Sequence, residues 1–218
     1  MNEPKTICVT GRGLIRLKPD TTRITLTIEG VSPDYAMLLR SSASDTARFG
    51  RALETAGFAR EDLKTLQFQV QPEYEGYQED GVYKQRLTGF RFRHELSVAF
   101  PSDNERLERI LAALAGTGLK PEFSLSFTVK DREAAKNALL NAAVADAKEK
   151  AETLAAASGV KLLGVRHIRY SMNETEFAVH PVSRSVFAAK ASADRFAPEI
   201  VPEEIEAEDT VSIVWEIE

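Results

Sequence analysis

"VTGRGLIRLKPD", Val9 to Asp20, is the stretch whose reading decides the fold. Two glycines one residue apart beside an apolar run open many phosphate-binding loops. The same residues also fit a strand from which two side chains have been left out. A dinucleotide fingerprint needs a third glycine and a helix directly after the loop. Here Gly11-Arg12-Gly13 runs into Leu14, Ile15, Arg16 and Leu17, and the first helix signal waits until Ser32-Pro33-Asp34. The Gly-Lys-Ser/Thr ending of a Walker loop is absent. Ile7, Val9, Gly11, Gly13, Ile15 and Leu17 share one parity, so the glycines stand where core side chains would point. The stretch is therefore predicted as a strand whose glycines permit a bulge or the close approach of a helix.

After Pro19-Asp20, Ile24, Leu26 and Ile28 alternate with Thr25, Thr27 and Glu29. The simplest account is two adjacent half-buried strands joined by a Pro-Asp turn. Ser32-Pro33-Asp34 reads as a helix start, with Ser32 as the capping hydroxyl and proline at the first helical position. Its stripe is Tyr35, Leu38, Ser42, Phe49, Leu53 and Ala56, and Gly57 is the stop. A long hairpin follows. Leu66, Phe68 and Val70 face inward, "EYEGYQEDGVYKQ" forms a polar, tyrosine-bearing tip, and Phe90, Phe92, Leu96, Val98 and Phe100 return on one parity.

Pro101-Ser102-Asp103 opens a second helix with Leu107, Ile110, Leu111 and Leu114 on its stripe, closed near Gly116 and Gly118. A strand with Phe123, Leu125, Phe127 and Val129 comes next. The longest helix covers about 131–158, with Leu140, Val144, Ala147, Ala151 and Leu154 as the expected seam and Gly159 as the stop. One strand spans about 162–170, a long loop 172–205, and the closing strand carries Val211, Ile213, Trp215 and Ile217 and is expected to be central. Few strand–helix–strand units occur in succession. The expected class is α+β: largely antiparallel sheet, in one piece or two lobes, with three helices, the long Ala-rich one packed on the sheet. The whole chain, 1–218, reads as one domain.

Composition narrows the function. The net charge of −5 and pI near 5.4 argue against nucleic acid or an anionic membrane as the main partner. Glu199, Glu203, Glu204, Glu206, Glu208, Asp209, Glu216 and Glu218 give an acidic C-terminus with no Lys or Arg after Phe196. No apolar run reaches the roughly 18 residues that span a bilayer. The first residues lack a signal-peptide pattern, so a cytoplasmic chain is expected. The one cysteine, Cys8, excludes an intrachain disulfide and is expected as a buried, inert thiol.

Chemistry-bearing patterns are sparse. His94, His167 and His180 lie far from one another and from Cys8, so no metal-ligand spacing exists. No Gly-x-Ser-x-Gly elbow is present. His94 shares the parity of Phe92 and Leu96 and reads as a hydrogen-bonded core residue. Arg91 and Arg93 read as a solvated or subunit-facing strand face. Tyr74, Tyr77 and Tyr83 sit among Glu73, Glu75, Glu79 and Asp80. These six (Arg91, Arg93, His94, Tyr74, Tyr77 and Tyr83) are the candidate interaction residues. No catalytic, cofactor-binding or metal-binding residue is assigned.

"VTGRGLIRLKPDTTRITLTI", "LKTLQFQVQPEYE", "LTGFRFRHELSV", "NALLNAAVADAKEKAETLAAASGVKLLGV" and "VPEEIEAEDTVSIVWEIE" together resemble the SIMPL-domain family over nearly the full length. The resemblance implies an α+β fold, homo-oligomeric assembly, no established enzymatic activity, and links to stress defence, with many members exported. Gly11, Gly13, Pro19, Asp20 and Gly89 match as turn and strand residues; Glu203 departs from an expected glycine. The expectation is a non-enzymatic homo-oligomeric scaffold or interaction protein, with an unidentified protein partner as a further possibility. The alternatives are a module binding a small ligand or cation near the tyrosine tip and His94, and an uncharacterised enzyme.

Overall fold

The computed structural model describes residues 5–171, 177–179 and 200–218. The strands are β1 (Thr6–Leu17), β2 (Thr21–Ser32), β3 (Lys64–Glu79), β4 (Val82–Pro101), β5 (Glu122–Thr128), β6 (Leu162–Arg169), β7 (Ala178–Val179) and β8 (Ile205–Ile217). The helices are α1 (Tyr35–Thr55), α2 (Asn104–Gly116) and α3 (Arg132–Ser158), with a 3-10 turn at Arg60–Asp62. The fold is α+β, and its ladders β1–β8, β6–β8, β2–β4 and β3–β4 are antiparallel. The chain divides into two compact units. One carries β1, α3, β6, β7 and β8; the other carries β2, α1, β3, β4, α2 and β5 up to Phe127.

In the first unit the strand order is β1-β8-β6, so the closing strand is central. β1 and β2 are consecutive but not paired: β1 pairs with β8 and β2 with β4. The expected hairpin across Pro19-Asp20 is thus overturned. Asp20 instead ties that corner to the start of the α3 segment, its amide donating to the Thr128 carbonyl (3.1 Å) and its carboxylate accepting from the Lys130 amide (2.8 Å).

α3 lies across β1 and β8. A Cβ on Gly11 would stand 2.6 Å from the Ala147 Cβ and closer still to the Ala143 carbonyl oxygen. One on Gly13 would stand 2.8 Å from the Ala143 amide. The glycines admit a helix backbone, not a phosphate. The matching face of α3 is Ala135, Leu139, Ala143, Ala147, Ala151 and Ala155, all buried at steps of four. The expected seam through Leu140, Val144 and Leu154 is corrected, since Val144 and Leu154 are exposed and Leu140 is half-buried. Bulk is excluded where backbone meets backbone, so alanine stands at the contact at Ala143 and Ala147.

The free edge of β1 is capped from α3. The Arg12 amide donates to Asp146 (2.6 Å), which also accepts from Lys150 (2.7 Å). Lys150 first, then the Arg12 amide, hold the Asp146 carboxyl below its usual range. This is one way a sheet edge is kept from pairing with a stranger.

In the second unit the sheet order is β3-β4-β2-β5. Ile24, Leu26, Ile28, Phe92, Leu96, Val98 and Phe100 form one apolar face. Leu38, Phe49 and Leu53 of α1 and Leu107, Ile110 and Leu114 of α2 cover it. The cap of α1 is Asp34, whose carboxylate accepts from the Met37 amide (2.7 Å), and not Ser32. Ser32 accepts from the Asp34 amide and so shapes the approach.

The β3–β4 hairpin departs from expectation in two ways. Its "polar tip" is paired strand down to Glu79 opposite Val82, closed by Asp80 (φ 54°) and Gly81 (φ 75°). Two successive positive φ values are the two-residue type I′ connection. β3 is also a sheet edge, so Leu66 and Phe68 are 51% and 45% exposed, although Phe68 turns to the core side as expected and meets Phe92 and His94 there. Of the 172–205 segment, Phe177–Val179 and the residues from 200 onward are described; His180, Pro181, Pro198 and Glu199 lie outside the described residues.

Candidate functional site

The candidate residues all fall on the β3–β4 hairpin, on three different surfaces. Arg91 and Arg93 project from the sheet face away from α1. Arg91 bonds Glu73 (2.5 Å) and lies 3.8 Å from Glu29. Arg93 bonds Glu29 (2.5 Å) and Glu95 (3.1 Å). Both guanidinium pKa values are raised, chiefly by hydrogen bonds to Glu73 and to Glu29. Two cations among three carboxylates leave no surplus positive charge to hold an anion. Further along the same face Glu75 pairs with Arg86 and Glu79 with Lys84, and Arg86 stands 5.8 Å above the Tyr77 ring. Such exposed pairs add little stability each. Their effect is to make this side of the hairpin a balanced, hydrated surface.

His94 turns to the opposite side and is buried. Its Nδ1 lies 3.2 Å from Thr46 Oγ1 and 3.4 Å from Ser42 Oγ on α1. Its Nε2 lies 3.1 Å from Thr65 Oγ1 on β3. Thr46 already gives its only hydroxyl proton to the Ser42 carbonyl (2.8 Å), so it can only accept from the ring. The tautomer assigned by this accounting is therefore Nδ1–H, with Nε2 accepting from Thr65. The Phe68 ring meets the imidazole edge-on at 5.0 Å. His94 is a satisfied core residue joining helix to edge strand.

Burial lowers the His94 pKa from its ordinary value. The unfolded chain then binds the extra proton more readily than the native one. The contribution is fully present above the ordinary histidine value of about 6.5 and is lost as pH falls from there through the lowered native value. Urea unfolding of the wild type and of His94→Gln between pH 7.5 and 5 checks this. The wild type is expected to lose stability more steeply than the variant as the medium is acidified. Parallel curves would contradict the assignment.

Tyr74 and Tyr83 lie on the same side as His94, beyond the helix, and are 57% and 69% exposed. Tyr77 is on the charged side. The six residues thus form no common pocket. A concavity of about 460 Å³ lies instead between α1 and α2, lined by Arg48, Arg51, Thr55 and Thr117. Arg48 donates to the Thr117 carbonyl, while the Thr55 and Thr117 hydroxyls donate to the Arg51 and Leu114 carbonyls. Those hydroxyl protons are committed, so the threonines cannot donate to an anion.

On the outer face of the other sheet, Arg12 pairs with Glu208 and Arg16 with Glu206. Part of the acidic C-terminus is thereby neutralised across the β1–β8 ladder. Cys8 lies on this face and is exposed, correcting the buried thiol. It shares Val214 as register partner with His167, one strand to either side. Asp209 is buried and accepts from the Tyr170 hydroxyl (2.8 Å), a bond that raises the tyrosine pKa. Sequence reasoning missed this pair because its two residues lie 39 apart and meet only through the pairing of β6 with β8. Among the described residues no group of three or more His, Cys, Asp or Glu is placed to hold a metal. No helix among them is long and apolar enough to cross a membrane.

The architecture is thus that of an α+β protein with two helix-backed sheets and exposed strand edges. The chain belongs to the SIMPL family, whose model, described as "Protein of unknown function (DUF541)", matches residues 7–215. Among similar proteins is "Uncharacterized protein YggE" of Edwardsiella ictaluri, 24% identical over 97% of this chain and 86% of the relative. The YggE protein of Escherichia coli K12 is 25% identical over 97% of this chain and 83% of its own. The "26 kDa periplasmic immunogenic protein" of Brucella melitensis is 26% identical over 99% and 86%. That last name places the Brucella protein in the periplasm and gives the cytoplasmic expectation no support.

Proposed function

We propose that this chain is a non-enzymatic interaction protein that works by assembling with copies of itself, in the stress-defence setting the family resemblance implies. One observation carries the reading. Exposed large apolar side chains gather on strands at sheet edges: Leu66, Phe68, Tyr74, Tyr83 and Leu87 on β3–β4, and Leu163, Val165 and Ile168 on β6. Exposed apolar groups on sheet edges are the usual raw material of strand-mediated association. The charged groups that might have served chemistry, Arg91 and Arg93 among them, are instead paired with carboxylates.

Light scattering behind a sizing column tests the reading on the untagged chain at two salt concentrations. The expected mass is a discrete multiple of 24.1 kDa. Because the contacts invoked are apolar, the mass is expected to hold as salt is raised. A mass of 24.1 kDa at micromolar concentration would overturn the proposal.

A further inference from the structure

The β3–β4 hairpin has two chemically opposite sides. On one, Glu73, Glu75, Arg86, Lys84 and Glu79 form cross-strand ion pairs that continue the Arg91–Glu29–Arg93 network. On the other, β3 presents Phe68, Val70, Pro72, Tyr74, Gly76 and Gln78 at alternate positions. A one-residue slip in pairing beyond Glu73 brings Leu87, Gln85 and Tyr83 of β4 opposite Tyr74, Gly76 and Gln78 on that same side. From Phe68 to Gln78 this side carries no charged residue. α1 meets only its near end, where Tyr35 touches Phe90.

Toward the tip the side is flat. Tyr83 lies down on Gly76, so that a Cβ added there would fall within 2.4 Å of the ring carbon bearing the hydroxyl. Tyr74, Leu87 and Tyr83 are 57%, 52% and 69% exposed. A two-stranded ribbon on which no described residue packs is marginal in water. Well-formed pairing out to Glu79 and Val82 therefore calls for a cover on the uncharged side.

We infer that the cover is a second copy of this chain, seated by the same uncharged stripe about a twofold axis near Tyr74 and Leu87. The inference rests on the assembly reading above and names its contact. Two observations select this occupant. A charged partner surface would have to be desolvated without compensation, because the stripe offers no counter-charge. Within this chain the outer faces of both sheets carry ion pairs, and the β6 edge intersperses Arg166, His167 and Arg169 with its apolar residues. Among the described residues the stripe is an uncharged surface that matches itself in length, and an isologous contact joins like to like.

The experiment compares the native mass of the wild type with that of Tyr74→Ser/Tyr83→Lys. In parallel, Leu87→Cys in a Cys8→Ser background is held under mild oxidation. The double variant is expected to drop to half the wild-type mass or less, with its circular dichroism retained. Leu87→Cys is expected to form a covalent pair that reductant dissolves. An assembled wild type whose mass the double variant leaves unchanged, with no covalent pair from Leu87→Cys, would overturn the stripe while leaving assembly standing. Loss of assembly on Ile168→Asp alone would move the contact to β6. A monomeric wild type would overturn the assembly reading itself. If the double variant misfolds, the covalent pair decides.

Discussion

Gly11→Ala is expected to cost at least about 4 kcal/mol of stability, a loss reserved for sites where the structure has no way to yield. The added carbon would meet the Ala143 carbonyl and the Ala147 amide, both in the helix backbone along the buried face of α3. An overpacked core ordinarily relaxes by turning side chains, at a cost of about 1–3 kcal/mol. Here the whole of α3 would have to lift away from β1 and β8, opening the layer formed by Val9, Ala143, Ala147, Val211, Ile213 and Trp215. Trp215, the only tryptophan, lies in that layer and reports the loss directly. Guanidinium unfolding followed by its fluorescence is the measurement, with Gly116→Ala as comparison, where nothing lies within 4 Å of the added carbon. Gly116→Ala is expected to shift stability by no more than about 1 kcal/mol. A loss below about 1 kcal/mol at Gly11 would contradict the helix-on-strand seam.

The second large effect belongs to the other unit. Phe92→Ala is expected to cost about 3–5 kcal/mol, as for a fully enclosed aromatic whose cavity cannot close. Phe92 is 1% exposed, its ring fills the space that the missing side chain of Gly30 leaves open, and Phe68 stacks on it at 6.4 Å. Phe68→Ala, two strand positions from Val70 and 45% exposed, is expected to cost only about 1 kcal/mol. Urea unfolding followed by far-ultraviolet circular dichroism separates the two. Equal losses would mean that Phe68 is as fully enclosed as Phe92.

That contrast marks where sequence patterning carries information and where it stops. Alternation finds strands reliably: Val9 through Leu17, Ile24 through Ile28, Phe92 through Phe100 and Val211 through Ile217 are all strands with those residues on one side. It also disposes of the phosphate-loop reading, because Gly11 and Gly13 keep the strand's parity. Parity says which residues share a face; it does not say whether anything covers that face. Leu66 and Phe68 have the alternation of a core strand but stand at a sheet edge. Pairing is non-local as well, so the partner of β1, almost two hundred residues away, was hidden and a short hairpin looked simpler.

α3 fails for a different reason. Its larger residues were expected to mark the seam, as they do when side chains fill the gap between elements. Opposite two glycines there is no gap to fill, and alanine becomes the buried residue while Val144 and Leu154 face outward. The glycine pair on β1 and the alanine steps on α3 were each visible. Their meaning lay in their meeting, which needs the register of helix on strand.

The candidate residues show the same division. That His94 is a hydrogen-bonded core residue followed from its parity. That Arg91 and Arg93 are neutralised by Glu29, Glu73 and Glu95 depended on the pairing of three strands. The uncharged stripe was hidden by the slip beyond Glu73, which brings Leu87, Gln85 and Tyr83 of β4 to the side of Tyr74 and not of Tyr77.

Self-association of the native chain, as proposed, is tested most directly by the dependence of thermal unfolding on concentration. Anything that binds the folded state and not the unfolded one raises the melting point with its own concentration. Melting of the chain, followed through Trp215 and circular dichroism over a hundredfold range of concentration, is predicted to shift upward by several degrees. A melting temperature that stays the same across that range would contradict the account.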